Sequence, residues 1–524
     1  MVNPILPGFH PDPSIVRVGE DYYVAVSTFE WYPGVQIYHS TDLVNWQLVA
    51  RPLNRAALLD MRGAPDSCGV WAPCLSYDNG KFYLIYTDVK RFDGNFKDTP
   101  NYLTCCDTID GEWSEPVYLN SSGFDPSLFH DDDGKKWLLN MIWDHRPDRT
   151  FFGGIVLQQY DEQAKALVGE RKLIFKGSEL GFTEGPHLYR HNGYYYLLTA
   201  EGGTGYNHAC TMARSKSIFG PYELDPNEHI VTSKDAAHHP LQRNGHGDIV
   251  QDEQGNWYLV HLTSRPLANG RSPLGRESAI EAIRYTDDGW FRLASEGQLA
   301  QLTPPGLTSS PARDYSHYED FSGSQLPQAF QWLRTPYPEN FYRIADSKLI
   351  LKGKQSLGNS FEQALIARRQ QHFNFTAQTC VSFNPDSFQQ QAGLVCYYNS
   401  HKFHYLYLSF DEQLGFHLDV MSCLGDQSFS AHFPIFDDRI AIERGAKVHL
   451  SAVVVGMQLE FAYSLDGNTW HSVAKLDYSI VSDEAGKGEG ANFTGAFVGM
   501  CCQDLTGRDF EAEFDYFSYQ EDHA

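Results

Sequence analysis

The chain has 524 residues, of which 42% are hydrophobic and 20% are charged, a composition typical of a folded globular protein. Because single hydrophobic cores stop growing at about 250–300 residues, this length predicts two domains. The formal net charge of −25 argues against nucleic acid as a partner, whose phosphates would be repelled, and against a basic membrane-surface patch.

The amino-terminal stretch MVNPILPGFHPDP has no basic segment followed by an apolar one, and nowhere do eighteen apolar residues follow one another. The sequence therefore predicts a soluble protein that is not exported. Ten cysteines occur, including two adjacent pairs, but without metal-ligand spacing or the framework of a small disulfide-rich domain. We expect free thiols in a reducing cytoplasm.

The first notable motif is FHPDPSIV, in which Asp12 stands between Pro11 and Pro13 directly before an apolar run. The prolines restrict the backbone on both sides and favour extended geometry at Asp12, so its carboxylate is held in one direction. Aspartates also stabilise turns and cap helices, and the motif alone leaves that structural role open.

A turn followed by an aromatic-rich strand recurs about every sixty residues through the first three hundred. Each copy places a glycine before the strand, as in the second half of a β-hairpin. The copies are GEDYYVAVS, NGKFYLIYT, DGKKWLLNM, HNGYYYLLT and QGNWYLVHL, marked by Tyr23, Tyr83, Trp137, Tyr196 and Trp257. Each unit has room for about four short strands, the content of a propeller blade. The pattern predicts a five-bladed β-propeller; the alternative, a β-sandwich with long loops, would not repeat at this period.

The strands that precede the hairpin turns can be aligned with one another. They read HPDPSIV, VWAPCLS, GFDPSLF, TEGPHLY and GHGDIVQ, with Pro13, Pro73, Pro126, Pro186 and Asp248 in matching places. The first strand of each propeller blade lines the central axis. The alignment therefore directs Asp12, Asp125 and Glu184 toward one pit, together with Trp71 and His246. Three carboxylates at one place repel each other, a cost that proteins usually accept for function.

At these residues the sequence resembles glycoside hydrolase family 43, specifically its two-domain β-xylosidases. The matching motifs extend over essentially the whole chain: NPILPGFHPDPSI, GVWAPCL, GFDPSLFHDDDGKKWLLNM, FTEGPHLY, NGHGDIV, LGRES and FTGAFVGMCCQDLTG. The resemblance implies an inverting, exo-acting hydrolase that releases one sugar from the non-reducing end of its substrate and requires no cofactor for the chemistry.

The resemblance also implies roles for the three carboxylates. Asp12 is the general base, Glu184 is the general acid, and Asp125 raises the pKa of Glu184 and orients it. Inversion needs a base that activates water on one face of the sugar and an acid that protonates the leaving oxygen. A like charge beside Glu184 favours its protonated form, which an acid catalyst near neutral pH requires.

Other binding residues are implied in the same way. Arg276, in LGRES, corresponds to an arginine that binds sugar hydroxyls, with a surface salt bridge as the alternative. Trp71, Phe29 and Trp143 correspond to aromatic walls of the pocket, and packing within a blade is the alternative for the last two. His246 lies on the axis, where some members of the family bind a divalent cation such as Ca²⁺ largely through water. A single histidine is a poor metal site, so the cation would have a structural or electrostatic role.

The repeat stops in QLTPPGLTSSPARDYSHYEDF, a segment rich in proline and serine. We expect a propeller over residues 1–305, a linker over 306–320, and a jelly-roll-like β-sandwich over 321–524, where strands such as KVHLSAVVV and FHYLYLSF alternate. In two-domain members of the family the sandwich lends a loop that narrows the pocket. GANFTGAF is the candidate loop, and Phe493 is the candidate residue that reaches the sugar, with core packing as its alternative.

The expected function is release of D-xylose from short xylooligosaccharides such as xylobiose. An α-L-arabinofuranosidase, or an enzyme with both activities, is the nearest alternative, because two pentoses can present similar hydroxyl patterns to one pocket. A carbohydrate-binding propeller without catalysis would need no acid and base. A sialidase would call for more than one arginine near the pocket. The oligomeric state is left open, a homo-oligomer included.

Overall fold

The computed structural model describes residues 1–308, 313–425, 431–486 and 492–523. This part of the chain is built almost entirely of β-strands, joined by loops and by short 3₁₀ helices at Pro338–Asn340, Phe436–Asp438 and Tyr478–Ile480. The predicted all-β fold is therefore confirmed. No helix within the described ranges has the length and apolar character that a membrane crossing would require.

The first part of the chain forms five sheets of four antiparallel strands, each in sequence order, and these are the blades of a propeller. Blade 1 contains β1 (Ser14–Val18), β2 (Asp21–Val26), β4 (Gln36–Ser40) and β5 (Gln47–Ala50), with the short β3 (Trp31–Tyr32) outside its sheet. Blade 2 contains β6 (Gly69–Asp78), β7 (Lys81–Val89), β8 (Asn101–Cys106) and β9 (Val117–Asn120). Blade 3 contains β10 (Ser127–His130), β11 (Lys136–Trp143), β12 (Phe152–Asp161) and β13 (Ala166–Phe175). Blade 4 contains β14 (Glu184–His191), β15 (Tyr194–Glu201), β16 (Ala209–Ser215) and β17 (Glu223–Thr232), and blade 5 contains β18 (Gln242–Gln251), β19 (Trp257–Ser264), β20 (Glu277–Tyr285) and β21 (Phe291–Leu293).

The aromatic-rich runs form the second strand of every blade, as predicted, and tight turns connect them to the first strand. In blades 2 and 4 the turn is an Asn-Gly pair with positive φ at both residues: 48° and 80° at Asn79 and Gly80, and 46° and 78° at Asn192 and Gly193. Positive φ at both central residues is the mark of a type I′ turn, whose twist matches that of the flanking strands. The five-bladed propeller is confirmed, and the sandwich alternative for this part of the chain is excluded.

One residue of each innermost strand, or just before it, adopts a left-handed backbone conformation near the axis. These residues are Asp12 (φ 54°), Ala72 (23°), Asp125 (54°), Gly185 (55°) and His246 (45°). The prediction of extended geometry at Asp12 is therefore wrong. The pairing of β6, β14 and β18 shifts at these positions, as in a β-bulge. Asp12 precedes β1, which pairs regularly with β2, and there the hydrogen bonds of its carboxylate to Ser27 and Arg276 override the local preference before proline; aspartate tolerates the left-handed region better than most residues. In blade 5 the repeat places His246 in the position of Asp12, so the alignment of Asp248 with the prolines is wrong by one residue.

The amino-terminal segment ties blade 1 to blade 5. The backbone N–H groups of Ile5 and Leu6 donate to the carbonyl of Ser278 in β20 at 2.8 and 3.2 Å. Further along, the N–H of His10 donates to the carbonyl of Arg276 at 3.0 Å. The segment that carries Asp12 therefore runs beside the segment that carries Arg276.

Two larger sheets form the carboxyl-terminal sandwich, which confirms the predicted architecture of this half. One sheet contains β22 (His317–Glu319), β24 (Tyr342–Ala345), β25 (Lys348–Lys352), β27 (Asn374–Ser382), β33 (Lys447–Val455), β34 (Gln458–Ser464), β35 (His471–Asp477) and β37 (Glu511–Glu521). The other contains β23 (Phe330–Leu333), β26 (Ala364–Arg369), β28 (Gln390–Asn399), β29 (Lys402–Asp411), β30 (Gly415–Leu424), β31 (Ala431–His432), β32 (Ile440–Ala441) and β36 (Phe497–Asp504), and also β3 from the propeller half.

The predicted linker overlaps the sandwich at its end. Strand β22, within the expected linker 306–320, pairs with β37, so its three residues belong to a sandwich sheet. Residues 309–312 of the linker, and the first two residues of GANFTGAF, lie outside the described ranges. The other boundary, between residues 305 and 306, stays a prediction.

The propeller and the sandwich share a sheet and a core. Strand β3 pairs with β23, which places Trp31 opposite Leu333. The ring of Trp31 stacks on that of Phe497 with 3.6 Å between centroids, and both side chains are fully buried. Arg369 of β26 donates through Nε to the carbonyl of Phe9 at 2.6 Å. Backbone pairing and a common apolar cluster therefore hold the two halves together.

Candidate active site

A cavity of about 380 Å³ lies at the propeller axis, next to the sandwich. It is lined by all nine residues that the sequence singled out: Asp12, Phe29, Trp71, Asp125, Trp143, Glu184, His246, Arg276 and Phe493. They come from all five blades and from the sandwich, so only the folded chain brings them together. The catalytic or binding role of each residue stays a prediction.

Asp12 is a buried carboxylate that is held in its ionised form. Ser27 Oγ donates to its Oδ2 at 2.6 Å, and Arg276 Nη1 donates to its Oδ1 at 3.0 Å. Burial alone would raise the pKa of Asp12, but the charge of Arg276, with smaller contributions from His246 and Ser27, outweighs burial and lowers this pKa. Because a carboxylate has about four acceptor positions, Asp12 can still accept a proton from water.

Asp125 and Glu184 are neighbouring carboxyls whose pKa values both rise. Burial and then the charge of Asp125 raise the pKa of Glu184, whereas burial and the charge of Asp12 raise that of Asp125. Asp125 Oδ2 also accepts a hydrogen bond from the backbone N–H of Gly185 at 3.0 Å, which fixes the chain directly after Glu184. These surroundings therefore favour the protonated form of Glu184, and the same aspartate that raises its pKa holds the adjoining backbone in position.

His246 lies between the two aspartates. Its Nδ1 is 4.0 Å from Asp12 Oδ1 and 3.9 Å from Asp125 Oδ2. A Cβ atom on Gly185 would lie only 3.0 Å from His246 Cε1, so the glycine provides the space for this ring as well as the positive φ. Burial lowers the pKa of His246 to about 4, and the imidazole is therefore neutral near pH 7.

A divalent cation near His246 would meet one imidazole and the carboxylates of Asp12 and Asp125. A neutral imidazole can bind a metal, but Ca²⁺ prefers oxygen ligands. Oδ1 of Asp12, the oxygen nearest to His246, is already bound by Arg276. The side chains therefore fit a cation that keeps its own water shell and contacts His246 through water, and they do not fit a fully protein-bound ion.

Arg276 connects the axis to the sandwich. It is 2% exposed, which excludes the surface salt bridge considered for it. Its Nη2 donates to the carbonyl of Phe493 at 2.8 Å, and the N–H of Phe493 donates to Ser67 Oγ at 2.9 Å. The ring centroid of Phe493 lies 5.7 Å from that of Trp71 and 6.4 Å from that of Phe29. A residue of the sandwich thus forms part of the cavity wall.

Phe29 and Trp143 line the cavity and also pack within the protein. Phe29 is buried, with its ring 5.8 Å from Phe9 and 5.9 Å from Trp71. Trp143 is half-buried, and its Nε1 donates to the carbonyl of Asn95 at 2.9 Å. Core packing and a place in the cavity wall, which the sequence presented as alternatives for these two residues, therefore occur together.

Sequence reasoning missed several lining residues, among them Phe92, Lys97, Phe152 and Phe182. Lys97 Nζ lies 4.3 Å from the ring centroid of Trp143 and donates to the carbonyl of Phe92 at 2.6 Å. Burial lowers the pKa of Lys97, and the charge of Glu184 opposes this effect. Lys97 belongs to the loop between β7 and β8, which has no repeat pattern. Phe182 stands two residues before Glu184, and that proximity was a usable signal.

Two family descriptions match the chain. Residues 1–291 match the glycosyl hydrolases family 43, and residues 318–520 match the β-xylosidase C-terminal concanavalin A-like domain. The two matches correspond to the propeller and to the sandwich.

The chain is also similar to individual proteins over its whole length. It is 53% identical to a xylosidase/arabinosidase 43B of Humicola insolens, over 99% of this chain and 97% of that protein. It is 49% identical to a β-xylosidase of Bacillus subtilis, over 99% of both chains. A solved structure of a xylan β-1,4-xylosidase from Bacillus halodurans C-125 superposes with a TM-score of 0.96 at 46% identity, over 99% of this chain and 100% of that one.

Proposed function

The chain belongs to the glycosyl hydrolases family 43, and from this membership we propose that it is an exo-acting, inverting β-xylosidase. Its substrates are short β-1,4-xylooligosaccharides such as xylobiose, from whose non-reducing end it releases D-xylose. The observation that carries the proposal is a single cavity that lowers the pKa of Asp12 and raises that of Glu184. Acid–base hydrolysis of a glycoside needs one ionised carboxyl as the base and one protonated carboxyl as the acid, and shifting their pKa values in opposite directions provides both.

The reaction follows from these protonation states. Glu184 gives its proton to the glycosidic oxygen as the bond between that oxygen and the anomeric carbon breaks. Asp12 takes a proton from the water that attacks the opposite face of the same carbon, and the product has the inverted configuration. Asp125 keeps Glu184 protonated and positioned, while Arg276 keeps Asp12 ionised. Exchange with solvent then restores both groups.

Exo action is supported by the wall that the sandwich adds to the cavity. Phe493 is held by hydrogen bonds at both its N–H and its carbonyl, to Ser67 and to Arg276. Because the N–H and the carbonyl of Phe493 are both held, this wall limits how many sugar units can lie between the scissile bond and the sandwich. Aromatic rings around the cavity offer the apolar surfaces on which pyranose faces pack.

A second candidate function is the hydrolysis of α-L-arabinofuranosides, alone or together with xylosides. It is favoured by the similarity, at 53% identity, to a protein whose name combines xylosidase and arabinosidase. The same acid and base would act on either pentose, so the ratio of kcat/KM values for matched aryl glycosides separates the two functions.

Two further properties belong to the proposal. A divalent cation such as Ca²⁺, held near His246 through its water shell, would add positive charge beside the two aspartates and take no part in proton transfer. A cytoplasmic location is supported by the ten cysteines, all of which lie in the described ranges and are unpaired.

The test is product analysis by NMR with xylobiose, an aryl β-D-xyloside and the matching aryl α-L-arabinofuranoside. We expect both xylosides to be cleaved and α-xylose to be the first sugar seen from the aryl xyloside. Early β-xylose, before mutarotation, would contradict inversion, and preferential cleavage of the arabinofuranoside would favour the second candidate. The Asp12→Ala variant, purified in the same way, controls for contaminating glycosidases.

A further inference from the structure

Glu201, the last residue of β15, is a fully buried carboxylate beside the proposed acid. Its Oε1 accepts hydrogen bonds from the backbone N–H of Ser178 and from Thr183 Oγ1, both at 2.8 Å. Its Oε2 accepts from Ser178 Oγ and, at 2.9 Å, from Thr211 Oγ1. Because a carboxylate has about four acceptor positions, these donors fill its capacity. The side chain of Glu201 therefore joins three other residues at one buried point.

Two of these three residues belong to the segment that leads into the proposed acid. Ser178 and Thr183 lie between the end of β13 and the start of β14, whose first residue is Glu184. The side chain of Glu184 lines the cavity, whereas that of Thr183, directly before it, contacts Glu201. Glu201 in turn follows Ala200, which pairs with Glu184 across the two strands. The carboxylate of Glu201 is thus attached to the chain one residue before the acid.

The packing around this contact is close. A Cβ atom on Gly177 would lie 1.8 Å from Thr183 Oγ1 and 2.5 Å from Glu201 Oε1, so a larger residue at 177 would displace the hydrogen bond. The N–H of Gly202, directly after Glu201, donates to the carbonyl of Gly181 at 2.8 Å. The segment before the acid is therefore bound to the end of β15 at several points along its length.

We propose that Glu201 is a positioning residue for the proposed acid and acts by holding Thr183. The inference rests on the proposed xylosidase function. Asp125 already fixes the chain after the acid, because its Oδ2 accepts from the N–H of Gly185 at 3.0 Å. With Glu201, hydrogen bonds to carboxylates hold the backbone on both sides of Glu184. An acid must lie within hydrogen-bond reach of the glycosidic oxygen, and a misplacement of about 1 Å can lower the rate by about a hundredfold.

A misplaced acid affects only those reactions that need its proton. Cleavage of xylobiose needs a proton from Glu184, whereas a dinitrophenyl xyloside, whose phenol leaves as the anion, needs it far less. The test is therefore the ratio of kcat/KM for xylobiose to kcat/KM for the dinitrophenyl xyloside, measured with variants of the full chain. A smaller fraction of folded enzyme lowers both values equally and leaves this ratio unchanged.

Thr183→Val removes the hydroxyl beside the acid and keeps the shape of the side chain. We expect it to lower the ratio by about three- to tenfold, through kcat for xylobiose, because the catalytic carboxyls and the cavity walls are all retained. Thr183→Ser keeps the hydroxyl and should keep the ratio of the unmodified enzyme.

Variants of Glu201 test the acceptor itself. Glu201→Leu should lower the ratio at least as far as Thr183→Val does. Glu201→Gln should keep most of the ratio, because its amide oxygen can still accept from the N–H of Ser178 and from Thr183. Thr183→Val decides the question by itself if Glu201→Leu is poorly folded.

Thr211→Val is the matched control. Thr211 is as buried as Thr183 and donates to the same carboxylate, but it belongs to β16 and not to the segment before the acid. Its Oγ1 also lies 2.9 Å from His229 Nδ1, so its loss should lower the melting temperature at least as much as Thr183→Val does. We expect the ratio of the two kcat/KM values to stay unchanged in this variant.

The outcomes separate this inference from the function on which it rests. An unchanged ratio in Thr183→Val would overturn it, because the contact would then serve the fold alone. An equal fall in Thr211→Val would also overturn it, since the effect would not depend on the segment before the acid. In both cases cleavage of xylobiose by the unmodified enzyme would leave the xylosidase function in place. An unmodified enzyme that cleaves neither substrate would overturn both.

Discussion

Arg276 and Asp12 form a buried ion pair, with Nη1 of the guanidinium 3.0 Å from Oδ1 of the carboxylate. The same guanidinium donates through Nη2 to the carbonyl of Phe493 at 2.8 Å. One side chain therefore controls the charge of the proposed base and also holds the sandwich residue beside it. Both partners are nearly inaccessible to solvent, so salt screens this pair far less than a surface pair.

Replacing Arg276 with Met should move the acidic limb of the pH profile of kcat/KM to higher pH. The charge of Arg276 lowers the pKa of Asp12, and without it burial dominates and this pKa rises. Asp12 then takes up a proton at a higher pH, and the base is lost earlier as the solution is acidified. We expect a shift of about one pH unit or more, together with a fall of at least about tenfold in kcat/KM at neutral pH.

The control for this variant is Arg62→Met, which removes a half-exposed arginine paired with Asp60 outside the cavity. Its profile should match that of the unmodified enzyme. If Arg276→Met lost activity equally at every pH, the arginine would serve binding alone and would not set the protonation of Asp12.

Glu184 and Asp12 should respond in opposite ways to the quality of the leaving group. Glu184→Ala removes the proton donor, so cleavage of xylobiose should fall by about 10²–10⁴-fold, whereas a dinitrophenyl xyloside, whose phenol leaves as the anion, should be affected far less. Asp12→Ala removes the group that activates water, and an activated leaving group should not restore the cleavage rate of this variant. Steady-state rates of both variants on both substrates make the comparison. Rescue of Asp12→Ala but not of Glu184→Ala by the dinitrophenyl substrate would reverse the assignment of acid and base.

Asp125→Asn should move the basic limb of the kcat/KM profile to lower pH. After burial, the charge of Asp125 is the largest cause of the raised pKa of Glu184. Its removal makes the ionised form of Glu184 less unfavourable, so this pKa falls and the protonated acid is lost at a lower pH. Asparagine keeps an oxygen that can accept from the N–H of Gly185, so position is largely preserved. A matched control is Asp88→Asn, a buried carboxyl paired with Lys90 outside the cavity, whose basic limb should not move.

Much of the cavity could be predicted because it is built from a repeat. Each blade contributes the same part of its first strand to the axis, so aligning five motifs was enough to bring Asp12, Asp125 and Glu184 together. The alignment failed by one residue at His246, because the bulge of β18 falls between Gly245 and Gly247 and no proline marks its place, as one does in the other blades. The left-handed backbone at Asp12 was missed as well, because the contacts of its carboxylate with Ser27 and Arg276, and not the flanking prolines, determine it.

The parts that sequence could not supply are contacts between segments without a pattern. Lys97 reaches the cavity from a loop, and nothing in its neighbourhood in the sequence relates it to Glu184. Strand β3 was also not expected, because a two-residue strand that joins the sheet of another domain leaves no alternation to detect. Each domain could thus be recognised from the sequence, whereas the sheet and the core that the two domains share could not.

Phe493→Ala should weaken substrate binding more than it lowers turnover. The ring packs on Trp71 and Phe92, with centroids 5.7 and 5.6 Å away, and contributes a wall without any group that reacts. Its loss should raise KM for xylobiose by roughly tenfold, while the backbone bonds to Ser67 and Arg276 remain. Steady-state kinetics test this, with Phe436→Ala, at a phenylalanine of the sandwich that is 58% exposed, as the control. A loss confined to kcat would contradict a role in binding and point to an effect on the position of Arg276.

An excised propeller lacking residues 321–524 should fail to fold into a stable, active domain. The deletion would remove the strand that pairs with β3 and expose Trp31, whose buried ring stacks on Phe497. It would also uncover the apolar surface around Phe9 and leave the second nitrogen of Arg276 without its acceptor in the sandwich. Large exposed apolar surfaces cause aggregation, so we expect insoluble protein or a melting temperature far below that of the full chain. The measurement is solubility and thermal unfolding of the excised propeller beside the full chain, followed by activity on xylobiose. A soluble propeller with full activity and the same preference for chain length would show that the sandwich is an accessory domain and that the cavity is complete without it.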